Sequence, residues 1–405
     1  MEFIEGGVCA AKGFKASGLH VGVKTKNKEK KDLALIVSEK ECTAAAVYTK
    51  NVVKAAPLHV TKEHLKDGKA RLAFINSGNA NACAPHGEEN ARRMCKAVAK
   101  ELGLNETEVI VASTGVIGQT LPIDVIESGV TELVSKLSYE GSKDAAAAIM
   151  TTDTTKKELA VELNINGKAI KIGGIAKGSG MIHPNMGTML SFVTTDCAIS
   201  AEMLQTALAN ATKISFNRVS VDGDTSTNDM LTIMANGLAG NEEITKQGAD
   251  YDAFTAALNA VCIELAKMVA ADGEGATHLI TCYVKGAKSE DDAEAISKSV
   301  ISSTLLKAAI FGTDANWGRI LCAMGYSGVE FDPDSVCVAF ESKAGRISVC
   351  ENGRGVNFDE VKAKKILEEF DLTIDIKLNE GAGECVCWGC DITYDYIKIN
   401  GDYRT

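Results

Sequence analysis

GGIAKGSGMIHPNMGTMLSFVTTD, residues 173–196, decides how this chain is read. Gly173, Gly174, Gly178, Gly180 and Gly187 crowd the approach to Thr188, and MLSFVTTD then has the apolar and β-branched character of a buried strand. Glycine at this density lets backbone N–H groups approach a ligand or an oxyanion without side-chain interference. The order GGIAKGSGM fits neither the phosphate-loop pattern nor the dinucleotide fingerprint. A Gly-Thr peptide entering a strand suits an intramolecular acyl shift instead. The Thr188 hydroxyl would attack the Gly187 carbonyl, and a free Thr188 α-amine, with an ordinary pKa of about 8, could then serve the hydroxyl as its base.

Upstream, strand-like LAVELNI and KAIKIGGIA flank Asn166-Gly167, a strong hairpin signal. Further upstream, strands are expected at Leu33–Ser38, Arg71–Ser77 and Val109–Ser113, with a helix near Glu88–Leu102. Downstream, Ser200 caps a helix to about Thr212, and Tyr251–Ala271 has the spacing of a longer one. Then come strand-like HLITCYVKG, VCVAF, RISVC and LTIDIKL, with helix-like spacing at Asp291–Ala309 and Phe358–Phe370. The alternation in ECVCWGCDITYDYIKI reads as one strand, and Cys385, Cys387 and Cys390 as its small apolar residues rather than metal ligands. Mixed α/β structure is expected throughout.

The 405 residues exceed what one core usually serves and predict a two-lobed α/β body. Apolar residues make up 45% and charged residues 24%, as in ordinary globular proteins. A net charge of −11 argues against a nucleic-acid surface, and the basic run Lys24–Lys31 is too short to reverse it. No run approaches the 18 or so consecutive apolar residues of a membrane span, and MEFIEGG lacks the order of a secretory signal, so no membrane partner and a cytoplasmic location are expected. The 13 scattered cysteines read as reduced thiols. VDGDTSTND carries four Asp or Asn residues, but its spacing and missing terminal Glu do not fit a Ca²⁺ loop, and no metal site is assigned.

The junction HPNMGTMLSFVTTD, preceded by AKGSGMI, closely resembles the self-processing site of the ornithine acetyltransferases, also called glutamate N-acetyltransferases, of the cyclic arginine pathway. NSGNANAC (76–83), STGVIG (113–118), TTDT (151–154), SVDGDTSTND (220–229), DGEGAT (272–277), NWGRI (316–320) and the ending INGDYRT resemble that family's blocks in the same order. Many relatives have Ala before the nucleophile where this chain has Gly187.

The resemblance implies an α/β fold, a self-processed two-lobed sandwich of the ornithine acetyltransferase type. It implies cleavage between Gly187 and Thr188 into chains 1–187 and 188–405, associated as a heterotetramer of two of each. Thr188 becomes the acetylated nucleophile, with Thr114 and Gly115 as the oxyanion hole. Thr154, Lys177, Thr188, Glu274, Asn400 and Thr405 surround the amino-acid substrate. His183, though five residues before Thr188, has no catalytic role in the family. The implied reaction moves acetyl from N-acetylornithine to glutamate without a cofactor; some relatives also accept acetyl-CoA as donor, and the sequence does not separate the two types. Two other readings stay open: a self-processing hydrolase with the same nucleophile, and an unprocessed amino-acid-binding protein.

Overall fold

The computed structural model describes residues 1–25, 29–183 and 189–402. Two sheets dominate. The first has nine strands in the order Glu2–Ile4, Lys157–Ile165, Lys168–Lys177, Leu190–Thr195, Met230–Ala235, Leu33–Tyr48, Lys69–Asn76 and Val109–Ser113, with Phe14–Leu19 paired to Leu33–Tyr48 off this path. Its centre is the parallel pair Leu190–Thr195 and Met230–Ala235, in which every residue is buried. Such strands are covered on both faces and read as continuous apolar runs. The helices Ala201–Ile214 and Ala249–Ala271 close one face, packing Leu204, Phe254, Leu258 and Leu265 onto Ile170, Val193 and Ile233. Ala249–Ala271 is long and apolar enough to cross a membrane, yet its Phe254, Leu258, Val261 and Leu265 face this core.

The expected hairpin is present. Lys157–Ile165 and Lys168–Lys177 pair antiparallel, and Asn166 and Gly167, at φ 52° and 82°, form the left-handed two-residue turn. Helix Gly87–Leu102 buries Ala91, Met94, Cys95 and Val98, one stripe at helical spacing, against the N-terminal strands.

The second sheet has seven strands, ordered Arg354–Gly355, Gly345–Glu351, Cys337–Ser342, Asp371–Lys377, Leu279–Ala287, Gly383–Cys390 and Val219–Ser220. Its own core, with Ile280, Val284, Ile296, Val300, Phe340 and Ile374, lies under helices Glu290–Ser302, Trp317–Gly325 and Glu360–Leu367. The two-lobed α/β expectation therefore holds. Val219–Ser220 pairs with Gly383–Cys390 in the second sheet, and the chain then runs through Val221–Asp229 into Met230–Ala235 of the first. The acidic loop thus joins the lobes.

Two expectations change. Asp291–Ala309 is two helices, Glu290–Ser302 and Thr304–Phe311, because Ser303 is extended and its hydroxyl caps the second by accepting from Leu306 N–H. The strand expected through ECVCWGCDITYDYIKI stops at Cys390: the Asp391 carboxylate accepts from the backbone N–H groups of Thr277 and His278, and Tyr394–Asp402 is helical. Gly173 and Gly174 lie in the strand Lys168–Lys177, as KAIKIGGIA reads. A Cβ on Gly173 would come 1.8 Å from the Gly7 carbonyl oxygen, so close backbone approach accounts for that glycine.

Candidate active site

The Val109–Ser113 strand delivers Thr114 and Gly115 into a tightly stitched turn. Thr114 N–H donates to the Asn76 carbonyl at 2.9 Å, and Ala80 N–H to the Val116 carbonyl at 2.9 Å. The Asn76 side chain accepts from Gly78 and Asn79 N–H at 3.1 Å each and donates to Ser113 Oγ at 2.7 Å. Gly115 has φ 128°, and a Cβ there would lie 2.6 Å from the Gly78 carbonyl carbon. Only glycine fits this crossing. A hydroxyl and adjacent backbone N–H groups at a rigid turn are the components of an oxyanion hole.

Lys177 ends the strand Lys168–Lys177, paired with Leu190 at the start of the next. Its side chain is buried and its ammonium has no hydrogen-bond partner among the described residues, so it remains available to an anionic group. Behind it lies a buried ionic cluster. Lys157 Nζ donates to Asp153 at 2.8 Å and to Asp272 at 2.5 Å, and Asp153 also accepts from Gly178 N–H at 2.6 Å. Burial alone pushes the Asp153 carboxyl up, but the Lys177 and Lys157 charges outweigh it and hold the group well below the usual carboxylate range. Thr154 lies on the outer side of this cluster, its hydroxyl and N–H both committed to Asp272.

Glu274 follows two residues after Asp272. Its N–H donates to the Ser179 carbonyl at 2.8 Å, and its carboxylate fills the space where a Cβ on Gly180 would sit, 2.4 Å away. Asn400 Nδ2, on the C-terminal helix, donates to Glu274 Oε2 at 2.7 Å. The acidic loop holds the segment before the junction: Asp222 accepts from Met181 and Ile182 N–H at 2.5 and 2.8 Å and from the Tyr396 hydroxyl at 3.3 Å. His183 Nδ1 lies 3.0 Å from Ser220 Oγ, and burial pushes the imidazole pKa down.

One cavity is lined by Thr114, Lys177, Gly180, Met189, Asn228 and Asp229. The structure therefore brings Thr114 and Lys177 to one opening and sets Gly180, with Glu274 and Asn400 behind it, at the rim; Thr154 is placed apart on Asp272. Gly187, Thr188 and Thr405 lie outside the described residues. The neighbours Ile182 and Met189 are both in the hydrophobic core.

The profile of the ArgJ family matches residues 15–405. The chain belongs to the ArgJ family. It is 50% identical over 406 residues to the arginine biosynthesis bifunctional protein ArgJ of Symbiobacterium thermophilum, and 49% identical over 406 residues to that of Caldanaerobacter subterraneus, in each case over all of both chains. A crystal structure of the arginine biosynthesis bifunctional protein argJ from Bacillus halodurans, 46% identical, matches with a TM-score of 0.50, covering 52% of this chain and 98% of that one.

Within this ArgJ fold, sequence reasoning missed Asn228 and Asp229 at the cavity. The signal was polar side chains beside an apolar run, STNDMLTIMA, which reads equally as an exposed acidic turn. Asp229 is buried, and its Oδ2 has no hydrogen-bond partner among the described residues. Burial pushes its pKa well above the usual range, opposed in part by the neighbouring Ser226 and Thr49 side chains and by the Lys177 charge. The folded state thus holds this proton more tightly than the unfolded chain. Its stabilising contribution is complete below the unfolded pKa of about 3.9 and is lost as pH rises toward the folded value. Asp229→Asn removes that loss. The melting temperature of D229N minus that of the parent should therefore rise as the pH is raised above about 4, and a difference independent of pH would count against the assignment.

Proposed function

We propose that this chain transfers an acetyl group from N2-acetyl-L-ornithine to L-glutamate through an ester on Thr188, after self-cleavage at Gly187–Thr188. The observation that carries the proposal is the convergence of Thr114, Lys177 and Glu274 on the strands and loops that flank residues 184–188. In the cleavage step, Thr188 Oγ attacks the Gly187 carbonyl, the peptide nitrogen leaves as the Thr188 amine, and water hydrolyses the ester. In the transfer step, the same hydroxyl loses its proton to that amine and attacks the acetyl carbonyl. The oxyanion is met by the Thr114 hydroxyl and Gly115 N–H; collapse expels ornithine, which takes the proton from the Thr188 ammonium. Glutamate then attacks the ester through its α-amine and leaves as N-acetylglutamate, restoring the hydroxyl.

Lys177 supplies a cation for the substrate carboxylate, and Glu274 with Asn400 receives the far end of the acetylornithine chain. Thr154, from its place on Asp272, and Thr405 complete the set of substrate-binding residues. No cofactor enters the cycle. The word bifunctional in the names of the relatives supports acetyl-CoA as a second donor to Thr188. The Bacillus halodurans chain, covered almost completely by half of this one, supports two chains from one gene. We assign them to 1–187 and 188–405, paired as a cytoplasmic heterotetramer.

Mass spectrometry of the purified protein after brief incubation with acetylornithine tests the reading. A fragment beginning at Thr188 and heavier by one acetyl group is expected, and acetyl-CoA in its place tests the second donor. Release of acetate without glutamate would identify a hydrolase instead.

A further inference from the structure

Asn228 is the penultimate residue of the acidic loop that joins the two lobes, and nothing in the reaction above uses it. Asn228 is buried and lines the cavity with Thr114 and Lys177. Its side-chain nitrogen donates to two backbone carbonyls, that of Ala80 at 2.6 Å and that of Ser113 at 2.7 Å. Two carbonyl acceptors fix which way the amide points, and its oxygen accepts from the Thr227 hydroxyl at 2.7 Å. Both amide protons are committed, so Asn228 has no donor left for a substrate.

The two carbonyls are not equivalent bystanders. Ser113 C=O belongs to the same peptide plane as Thr114 N–H, which donates to the Asn76 carbonyl. That plane is held at its oxygen by Asn228 and at its nitrogen by Asn76. Ala80, the other acceptor, holds Val116 on the far side of Gly115 through its own N–H. One amide therefore ties down both strands of the turn that carries Thr114 and Gly115. It does so from the segment after residue 188, whereas Ala80 and Ser113 lie before it.

We infer that Asn228 is the positioning residue of the oxyanion hole, setting the Ser113–Thr114 peptide, and through it the Thr114 hydroxyl and Gly115 N–H, against the strand that begins after Thr188. The inference rests on the proposed role of Thr114 and Gly115. Preorganised donors stabilise a transition state only when they already point at the developing charge. Met230 N–H donates to the Met189 carbonyl at 2.9 Å, so the residue next to Asn228–Asp229 in sequence is bonded to the residue next to Thr188. Asn228 thereby gives donor turn and nucleophile strand a common reference, and cleavage at 187–188 would leave that tie between two chains.

The test measures single-turnover acetylation of the cleaved protein by acetylornithine, with ornithine affinity by calorimetry alongside. Asn228→Ala should slow acetylation about 100-fold, as loss of an oxyanion donor does, with the ornithine Kd changed less than about threefold. Thr227→Val, which loosens the amide without deleting it, should slow acetylation by a smaller factor at unchanged Kd. It carries the test if N228A does not fold. Thr114→Ala combined with N228A should be no slower than the slower single variant, because both act on one donor set.

Acetylation at the parental rate in N228A or T227V, a loss confined to Kd, or fully multiplicative losses in the double variant would overturn the inference. Parental acetylation in T114A alone would instead overturn the oxyanion assignment on which it rests.

Discussion

Thr188→Ala is expected to remain a single chain of 42.7 kDa that takes up no acetyl group from acetylornithine. The parent should run as two fragments near half that mass. Both losses follow from one atom, because the same hydroxyl is assigned to the attack on Gly187 and to the attack on the acetyl carbonyl. Without cleavage the α-amine stays in a peptide bond and cannot act as a base. Acetyl transfer should fall by a factor on the order of 10⁴ or more, as when a nucleophile is removed from an acyl-transfer site that keeps its oxyanion donors. Ile182 and Met189, on either side, are anchored in the core, so the variant should fold and bind ornithine through Lys177 and Glu274. A Thr188→Ala protein that still cleaves and acetylates would end the argument.

The parts of this fold that sequence made legible are those with a single dominant signal. Asn166-Gly167 predicted its hairpin because two adjacent left-handed residues strongly favour these types. The stripe Ala91, Met94, Cys95, Val98 predicted its helix because only one period fits it. The 16-residue strand Leu33–Tyr48 was legible only at its start. Its second half, EKECTAAAVY, alternates weakly, and a register shift between Val37 and Cys42 moves the pairing there. Helix Ser142–Ile149 was missed because SKDAAAAI owes its place to packing against the strands Phe14–Leu19 and Leu33–Tyr48, a tertiary reason.

The site divides in the same way. Thr114, Lys177, Glu274 and Asn400 came from resemblance, and no propensity would have brought them together. Lys157 illustrates why: alone it reads as a surface lysine, and only the fold buries it between Asp153 and Asp272. Lys24, the first residue of the basic run Lys24–Lys31, donates to Ser77 Oγ and the Met150 carbonyl at 2.7 Å each. Burial pushes its pKa down to about 8. Charge patterning identified the run but not which of its members turns inward.

Ending the chain after Ile399 tests the other large effect. The helix Tyr394–Asp402 buries none of its own residues and is held by polar contacts: Tyr396 to Asp222, Asn400 to Glu274, and Thr393, just before it, to the Gly275 carbonyl at 2.7 Å. Removing its last turn therefore takes no hydrophobic core with it, and the melting temperature should fall by no more than about 2–4 °C. Glu274, however, loses Asn400 while remaining buried behind Gly180. A hydrogen bond to a charged group contributes about 1.5–3 kcal/mol, so Asn400→Ala alone should lower kcat/KM for acetylornithine by about 10- to 100-fold. The truncation also removes Thr405 and should bring transfer below detection while leaving Gly187–Thr188 cleavage intact, since the cleavage step uses no group beyond Ile399. Full activity in the truncated protein would place the C-terminus outside the site. A truncated protein that also failed to cleave would show instead that the C-terminal helix supports the junction through Asp222, which grips Met181, Ile182 and Tyr396 together.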